Sequence, residues 1–305
     1  MTLVSVPDER WLNLWPGRAP VELALWDMFG EVPGAADGGP EIVVPPYMRR
    51  DLPLARLADL PRLRVVQTLT AGVDDVLPFM PPGVTLCNAT GVHDTSTAEL
   101  TIGLTIAALR GLGDFARAQT TGTWLSSTRM SLADRRVLLI GAGSVGRAIL
   151  DRLAAFEVSV TRVATTARED DHGPVHGVGE LPQLLRSHDV VILIVPLTPS
   201  TRGMVDTAFL AAMPDGALLV NVARGPVVDT AALLLEVMSG RLAAALDVTD
   251  PEPLPADHPL WRAPNVLISP HVGGNSTAFV PRGRALLRRQ FEAYAAGEWL
   301  SNVVG

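Results

Sequence analysis

Val137-Leu138-Leu139-Ile140-Gly141-Ala142-Gly143-Ser144-Val145-Gly146 is the stretch on which the fold turns. Its four leading aliphatic residues have no polar face, so residues 137–140 read as a strand buried on both sides, as in a parallel sheet covered by helices. The strand runs straight into glycines at 141, 143 and 146, and a helical pattern follows over residues 144–156. A glycine turn between a buried strand and a helix gathers backbone N–H groups and the positive end of the helix dipole at one point, as a diphosphate requires. Gly141, Gly143, Ser144, Val145 and Gly146 are therefore the candidate dinucleotide cradle. The same spacing also occurs as a tight turn with no ligand; the strand before it and the helix after it favour the nucleotide.

Working outward, strand and helix alternate: strands at 158–163, 190–195, 218–222, 243–248 and 266–268, and a helix at 181–187. Upstream, short apolar runs at 21–25, 42–44, 65–69 and 84–87, punctuated by proline and glycine, read as strands of a separate α/β unit. Ser96 followed by Glu99 forms a capping box that opens a long helix through Leu100, Leu104, Ala108 and Leu112. Residues 281–298 carry Leu286, Leu287, Phe291 and Tyr294 near helical spacing, a helix able to pack back on the first unit. The expected fold is two Rossmann-like α/β domains with doubly wound parallel sheets. Residues 1–95 and 281–305 form one domain, residues 96–280 the dinucleotide-binding domain.

Bulk properties narrow the function. A chain of 305 residues can bury two cores. The net charge of −7 is spread along the chain, which argues against a nucleic-acid footprint. The single cysteine, Cys87, can form neither an intrachain disulfide nor a thiolate cluster for a metal, and suits a reducing cytoplasm. Residues 1–10 lack the pattern of an export signal, and the apolar run at 190–195 stops at Pro196, far short of the ~20 residues of a membrane helix. A cytoplasmic location, with no membrane, nucleic-acid or metal partner, is the expectation.

A carboxylate that holds the adenosine ribose of NAD is expected about 20 residues beyond the first glycine. Here Ala164 stands at that place, with Thr165, Thr166 and Arg168 close behind. Hydroxyls and a guanidinium without a carboxylate would accept a 2′-phosphate, so NADP is favoured over NAD. Downstream, Arg224, Glu252 and His271 each follow a predicted strand and so come to the carboxyl edge of the sheet, where open α/β folds bind ligands. Singly, each is equally a surface arginine, a loop glutamate and a strand-capping histidine. Together they make a carboxylate-binding fork, a group that titrates near neutral pH and an acid to hold its ring, a set suited to reducing a 2-keto acid.

With these residues in order, the chain resembles the D-isomer-specific 2-hydroxyacid dehydrogenase family over nearly its whole length. The resemblance rests on Gly72-Val73-Asp74, Ala98-Glu99-Leu100, Trp124, the glycine turn, residues 195–202 (VPLTPSTR), Val222-Ala223-Arg224-Gly225, Leu246-Asp247-Val248, Glu252-Pro253, His258-Pro259-Leu260-Trp261 and Ser269-Pro270-His271. It implies that His271 protonates the keto oxygen, that Glu252 keeps His271 charged, and that Arg224 binds the substrate carboxylate with help from the backbone N–H groups of Ala71 and Gly72. It further implies that Ala223 and Asp247 grip the nicotinamide carboxamide, that Val195, Pro196 and Thr201 line the adenosine side, and that Gly273 and Gly274 border the cofactor. The active site would lie in the interdomain cleft, and two copies would pair through the cofactor domain, using the helix from Ser96.

The loop at residues 45–50 would meet the substrate side chain. Tyr47 and Met48 suit a small or apolar group, whereas Arg49 and Arg50 would suit a phosphate or point to solvent. The favoured activity is that of a glyoxylate/hydroxypyruvate-type reductase. A short phosphoglycerate dehydrogenase and a non-catalytic, NAD(H)-sensing corepressor-like protein are the alternatives.

Overall fold

The structure is a computed structural model that describes residues 1–304. It forms two compact units, one of Met1–His93 with the residues from Ser276 onward, the other of Asp94–Asn275.

The first unit is built on five parallel strands, β1 (Leu3–Val6), β2 (Glu22–Leu25), β3 (Ile42–Val43), β4 (Val65–Gln67) and β5 (Thr85–Cys87), in the order β2-β1-β3-β4-β5. Four of these fall within the expected runs, each shorter than its apolar stretch. β1 lies outside them: four residues including a serine carry little local signal. It is a strand because β2 and β3 pair on either side of it, and Val4, Ser5 and Val6 are buried there. Alternation then sends Val4, Val6, Ile42 and Val65 to one face and Val43 and Val66 to the other. The first face is covered by the last helix, Phe279–Ala296, through Phe279, Leu286, Leu287 and Phe291. Each buried leucine there stabilises the fold by about 2–5 kcal/mol relative to alanine. The helix begins two residues before Pro281, where the missing N–H would have had no intrahelical partner.

The second unit carries eight strands: β6 (Arg136–Ile140), β7 (Ser159–Ala164), β8 (Arg168–Asp170), β9 (Gly173–Gly177), β10 (Val190–Leu193), β11 (Leu218–Asn221), β12 (Ala243–Leu246) and β13 (Val266–Ile268). Their order is β13-β12-β11-β10-β6-β7-β9-β8, all parallel except β8, which returns antiparallel along β9. The β8–β9 hairpin was not expected from its polar, charged sequence. A half-buried ion pair holds it: Arg162 of β7 donates to both oxygens of Asp170 at 2.9 and 2.8 Å.

Helices α1 (Asp94–Arg110), α2 (Leu112–Thr120), α3 (Ser144–Leu153), α4 (Leu181–Leu185), α5 (Thr207–Ala212) and α6 (Thr230–Met238) belong to this unit; the last helix is α7. α1 corrects the capping box. It starts at Asp94, whose charge suits the helix N-terminus, so Ser96 is not the cap but a buried member of the first turn. Nor does it run through Leu112, because Gly111 takes a left-handed φ of 64° and breaks it from α2. Its buried face includes Thr97, Thr101 and Thr105, which the apolar periodicity missed. The Thr101 and Thr105 hydroxyls donate to the carbonyls of Thr97 and Thr101 at 2.7 Å, so these side chains can be buried. No helix among the described residues is long and apolar enough to cross a membrane.

Candidate active site

β6 lies at the centre of the sheet between β10 and β7, and its carboxyl end delivers the glycine turn. The three glycines differ in what forces them. Gly141 has φ of 118°, and a Cβ there would strike the carbonyl of Ile194. At Gly146 a Cβ would strike the carbonyl of Gly141, so this glycine lets α3 seat against the turn. At Gly143 a Cβ would meet nothing within 4 Å: this position faces open space. Gly143 is also the N-cap of α3 and offers no side-chain cap, leaving the helix's first N–H groups for an incoming acceptor. An open groove lined by Asp94, Ala142, Gly143, Ser144, Arg147, Ala148 and Asp151 runs past this point. The turn therefore fits a diphosphate.

β7 ends at Ala164, and Thr165, Thr166 and Arg168 are exposed beyond it. The Arg168 guanidinium reaches back to 3.4 Å from the carbonyl of Ala142, in the glycine turn itself. Its position is set by the hairpin it opens, which the Arg162–Asp170 pair anchors. The guanidinium, with the His172 N–H, pushes the Asp170 carboxyl down to about 2. Beyond β10, Val195 is half-buried and Pro196 exposed, and the Thr201 hydroxyl is spent inside its own turn, donating to the carbonyl of Pro196 at 2.6 Å.

The three candidate catalytic residues leave adjoining strands. Asn221 ends β11, Leu246 ends β12 and Ile268 ends β13, and these residues are in register across the sheet. Buried Asn221 braces the Arg224 loop, accepting from the Ala223 N–H at 3.1 Å and donating to the Arg224 carbonyl at 3.1 Å. Gly225 packs this loop on the next one, for a Cβ there would strike the carbonyl of Thr249. The half-buried Glu252 then meets His271, Oε1 to Nδ1 at 2.7 Å. His271 takes a left-handed φ of 52°, a sparsely populated conformation for a residue with a Cβ.

Asp247 holds that loop. It is 3% exposed; Oδ1 accepts from the Ser269 hydroxyl at 2.6 Å and the Val272 N–H at 2.9 Å, and Oδ2 from the Gly273 N–H at 2.9 Å. Gly273 packs tightly here, since a Cβ would lie 3.0 Å from the Asp247 carboxylate. Asp247 and Gly273 thus meet each other. The sequence marked both as cofactor-facing and missed this bracing, as it missed Asn221 and Ser269.

In the first unit, the loop after β4 is tied by its oxygens. The Thr68 and Thr70 hydroxyls donate to the carbonyls of Thr70 and Gly72 at 2.8 Å, and Asn88 donates to that of Ala71 at 3.0 Å. The N–H groups of Ala71 and Gly72 donate to no acceptor among the described residues, which leaves two backbone donors side by side for an anion. Tyr47 and Met48 follow β3. Met48 is exposed with φ of 55°, and the Tyr47 ring stacks on His93 at 5.3 Å. Arg49 is engaged: it lies over the Phe29 ring at 4.2 Å and pairs with Asp51 at 2.8 Å and Asp27 at 3.7 Å.

The model of the D-isomer specific 2-hydroxyacid dehydrogenase NAD binding domain matches residues 102–273, more than half of the chain. The chain belongs to the D-isomer specific 2-hydroxyacid dehydrogenase family. This 2-hydroxyacid dehydrogenase is thus an NAD(P)-dependent oxidoreductase acting on 2-keto or 2-hydroxy acids. It is 33% identical to a glyoxylate reductase of Thermofilum pendens over 249 residues, covering 78% of this chain and 74% of that one. In structure it is similar to the NADPH-dependent glyoxylate/hydroxypyruvate reductase of Sinorhizobium meliloti in complex with NADP and malonate, with TM-score 0.84, 27% identity and coverage of 100% and 97% of the two chains. It is similarly close to a family member from Xanthobacter autotrophicus Py2 in complex with NADPH and MES, with TM-score 0.83, 28% identity and coverage of 100% and 98%.

Proposed function

We propose that this dehydrogenase reduces a small 2-keto acid of the glyoxylate or hydroxypyruvate type, preferring NADPH. The observation that carries the reading is the His271–Glu252 hydrogen bond of 2.7 Å, formed on strand ends level with the one that bears Arg224. Because Glu252 occupies Nδ1, Nε2 is the nitrogen of His271 that hands a proton to the keto oxygen. Arg224 takes the substrate carboxylate as a planar fork, and the Ala71 and Gly72 N–H groups share that charge. When bound, the nicotinamide supplies the hydride to the carbonyl carbon. The glycine turn and the N-terminus of α3 hold the diphosphate, and Thr165, Thr166 and Arg168 hold a 2′-phosphate beside a strand end that has alanine in place of a carboxylate. On this reading residues 94–275 are the dinucleotide-binding domain and the remainder the substrate domain.

Arg49 supports an unphosphorylated substrate, since two carboxylates already neutralise it. The segment around Trp124, which is 95% exposed, supports pairing of two copies through the dinucleotide-binding domain. A lone, buried Cys87 supports a reducing, cytoplasmic setting.

The test is oxidation of NADPH and NADH in the presence of glyoxylate, hydroxypyruvate, pyruvate and phosphohydroxypyruvate, with His271→Ala alongside. Turnover of the first two acids with NADPH is expected, and a loss of about 10²- to 10⁴-fold in His271→Ala at nearly unchanged NADPH affinity. Turnover confined to the phosphorylated acid, or full activity in His271→Ala, would overturn the proposal.

A further inference from the structure

We propose that Phe279, the first residue of α7, sets the size of the substrate side chain that this enzyme accepts, by holding the ring of Tyr47 in place. The inference rests on the reading above, in which the substrate lies against the loops that carry Tyr47 and Ala71–Gly72.

Phe279 is buried and has three rings around it. Tyr47 lies 4.2 Å from it, His93 5.1 Å and Trp11 5.6 Å, the last edge to face. Tyr47 is in turn stacked on His93 at an interplanar angle of 19°. The Tyr47 ring therefore rests against two other rings, and of these Phe279 is carried by a helix. Behind Phe279 the packing has no slack: one turn on, a Cβ at Gly283 would come within 2.9 Å of the Trp11 ring, so the glycine is what lets Trp11 press against this end of α7.

The ring group is coupled to the proposed carboxylate cradle. His93 Nε2 lies 2.7 Å from the carbonyl of Leu69, directly before the Thr70–Gly72 turn with its two unspent N–H groups. One hydrogen bond thus separates the donors that would hold the carboxylate from the wall that would meet the rest of the acid. A substrate held by its carboxylate at Ala71 and Gly72 has its side chain limited by where Tyr47 stands, and Tyr47 stands where Phe279 and His93 put it. Phe279 is a positioning residue: it acts through Tyr47 and does not touch the reacting atoms.

Apolar pockets discriminate by about 10- to 200-fold for a methylene more or less, so loosening this wall should be read in the substrate ratio. The measurement is kcat and KM with NADPH for glyoxylate, 2-oxobutanoate, 4-methyl-2-oxopentanoate and phenylpyruvate, in the wild type, Phe279→Leu and Phe279→Tyr. Leucine keeps the site apolar and removes the ring. The expected result for Phe279→Leu is a rise of about 10-fold in kcat/KM for the branched acid relative to glyoxylate, carried by KM, with kcat on glyoxylate within about 3-fold of the wild type. Phe279→Tyr, which restores a ring, should keep the wild-type ratio. A ratio within 2-fold of the wild type in a folded Phe279→Leu enzyme, or an equal fall in kcat for all four acids, would overturn the inference while leaving the reductase reading intact. A wild type that reduces neither these four acids nor hydroxypyruvate overturns the reductase reading, and the inference with it.

Discussion

Removing the Asp247 carboxylate should loosen His271 without touching it. Ser269, Val272 and Gly273 all donate to this one buried side chain, at 2.6, 2.9 and 2.9 Å. Hydrogen bonds to a charged group contribute about 1.5–3 kcal/mol each, but they share one anchor and water can re-enter, so the three do not sum. Breaking such a buried set costs about 3–5 kcal/mol, and Asp247→Ala should lower Tm by on the order of 10 °C. Asp247→Asn keeps one acceptor oxygen but turns an amide N–H₂ toward one of the donors, so a smaller loss of about 1–3 kcal/mol is expected. In that variant the loop survives with a slack anchor, and a displacement near 1 Å costs about 10²-fold in rate. Stopped-flow reduction of glyoxylate should show kcat lowered by about 10- to 100-fold, and fluorescence titration should show NADPH Kd changed by less than about 3-fold. The reverse result, kcat preserved and Kd raised 10-fold, would refute the argument and assign Asp247 to the cofactor carboxamide.

The glycine turn offers a paired comparison: Gly146→Ala, whose Cβ would strike the Gly141 carbonyl, should fail to fold or lose several kcal/mol in urea unfolding, whereas Gly143→Ala, facing open space, should keep its stability and bind NADPH at least about 10-fold more weakly. Arg168→Ala should raise the KM for NADPH by roughly 10- to 100-fold and leave that for NADH within about 3-fold, because only the 2′-phosphate loses its partner; equal effects on both would remove Arg168 from the site. A pH effect on stability comes from His188. Its Nδ1 donates to the Leu184 carbonyl at 2.6 Å, its Nε2 faces the Thr161 hydroxyl at 2.9 Å, and burial holds its pKa below the usual 6.5. The unfolded chain therefore takes up this proton first. The contribution is fully present above about pH 6.5 and is lost as pH falls below it, with a slope of at most about 1.4 kcal/mol per pH unit. Urea midpoints between pH 5 and 8 should show this in the wild type and not in His188→Gln.

Much of this was legible in the sequence where a residue had only one place to go. Aliphatic runs such as 137–140 and 190–193 have no polar face and must be covered on both sides, as strands of a covered parallel sheet are, and a glycine between strand and helix has few reasons other than contact with a carbonyl or a ligand. Arg224, Glu252 and His271 were read as a set because each follows a strand; the strands end in register at Asn221, Leu246 and Ile268, and of the three the structure joins Glu252 and His271 by a hydrogen bond. β1 was not legible, because pairing on both sides makes it, and the β8–β9 hairpin was not, because one arginine on β7 holds it. Tyr47 was found and Phe279 was not, since their contact is decided by where α7 lands on the sheet.

Asp247 shows why polar residues are harder to read than apolar ones. A carboxylate at the end of a buried strand can accept either from a ligand or from its own surroundings, and both fates look alike in the chain. The path of the following loop decides between them. A carboxylate has about four lone-pair sites, and here three are directed at Ser269, Val272 and Gly273. At most one remains for a carboxamide, so cofactor binding can claim the smaller share of Asp247's hydrogen bonds, and the larger share goes to the loop that carries His271.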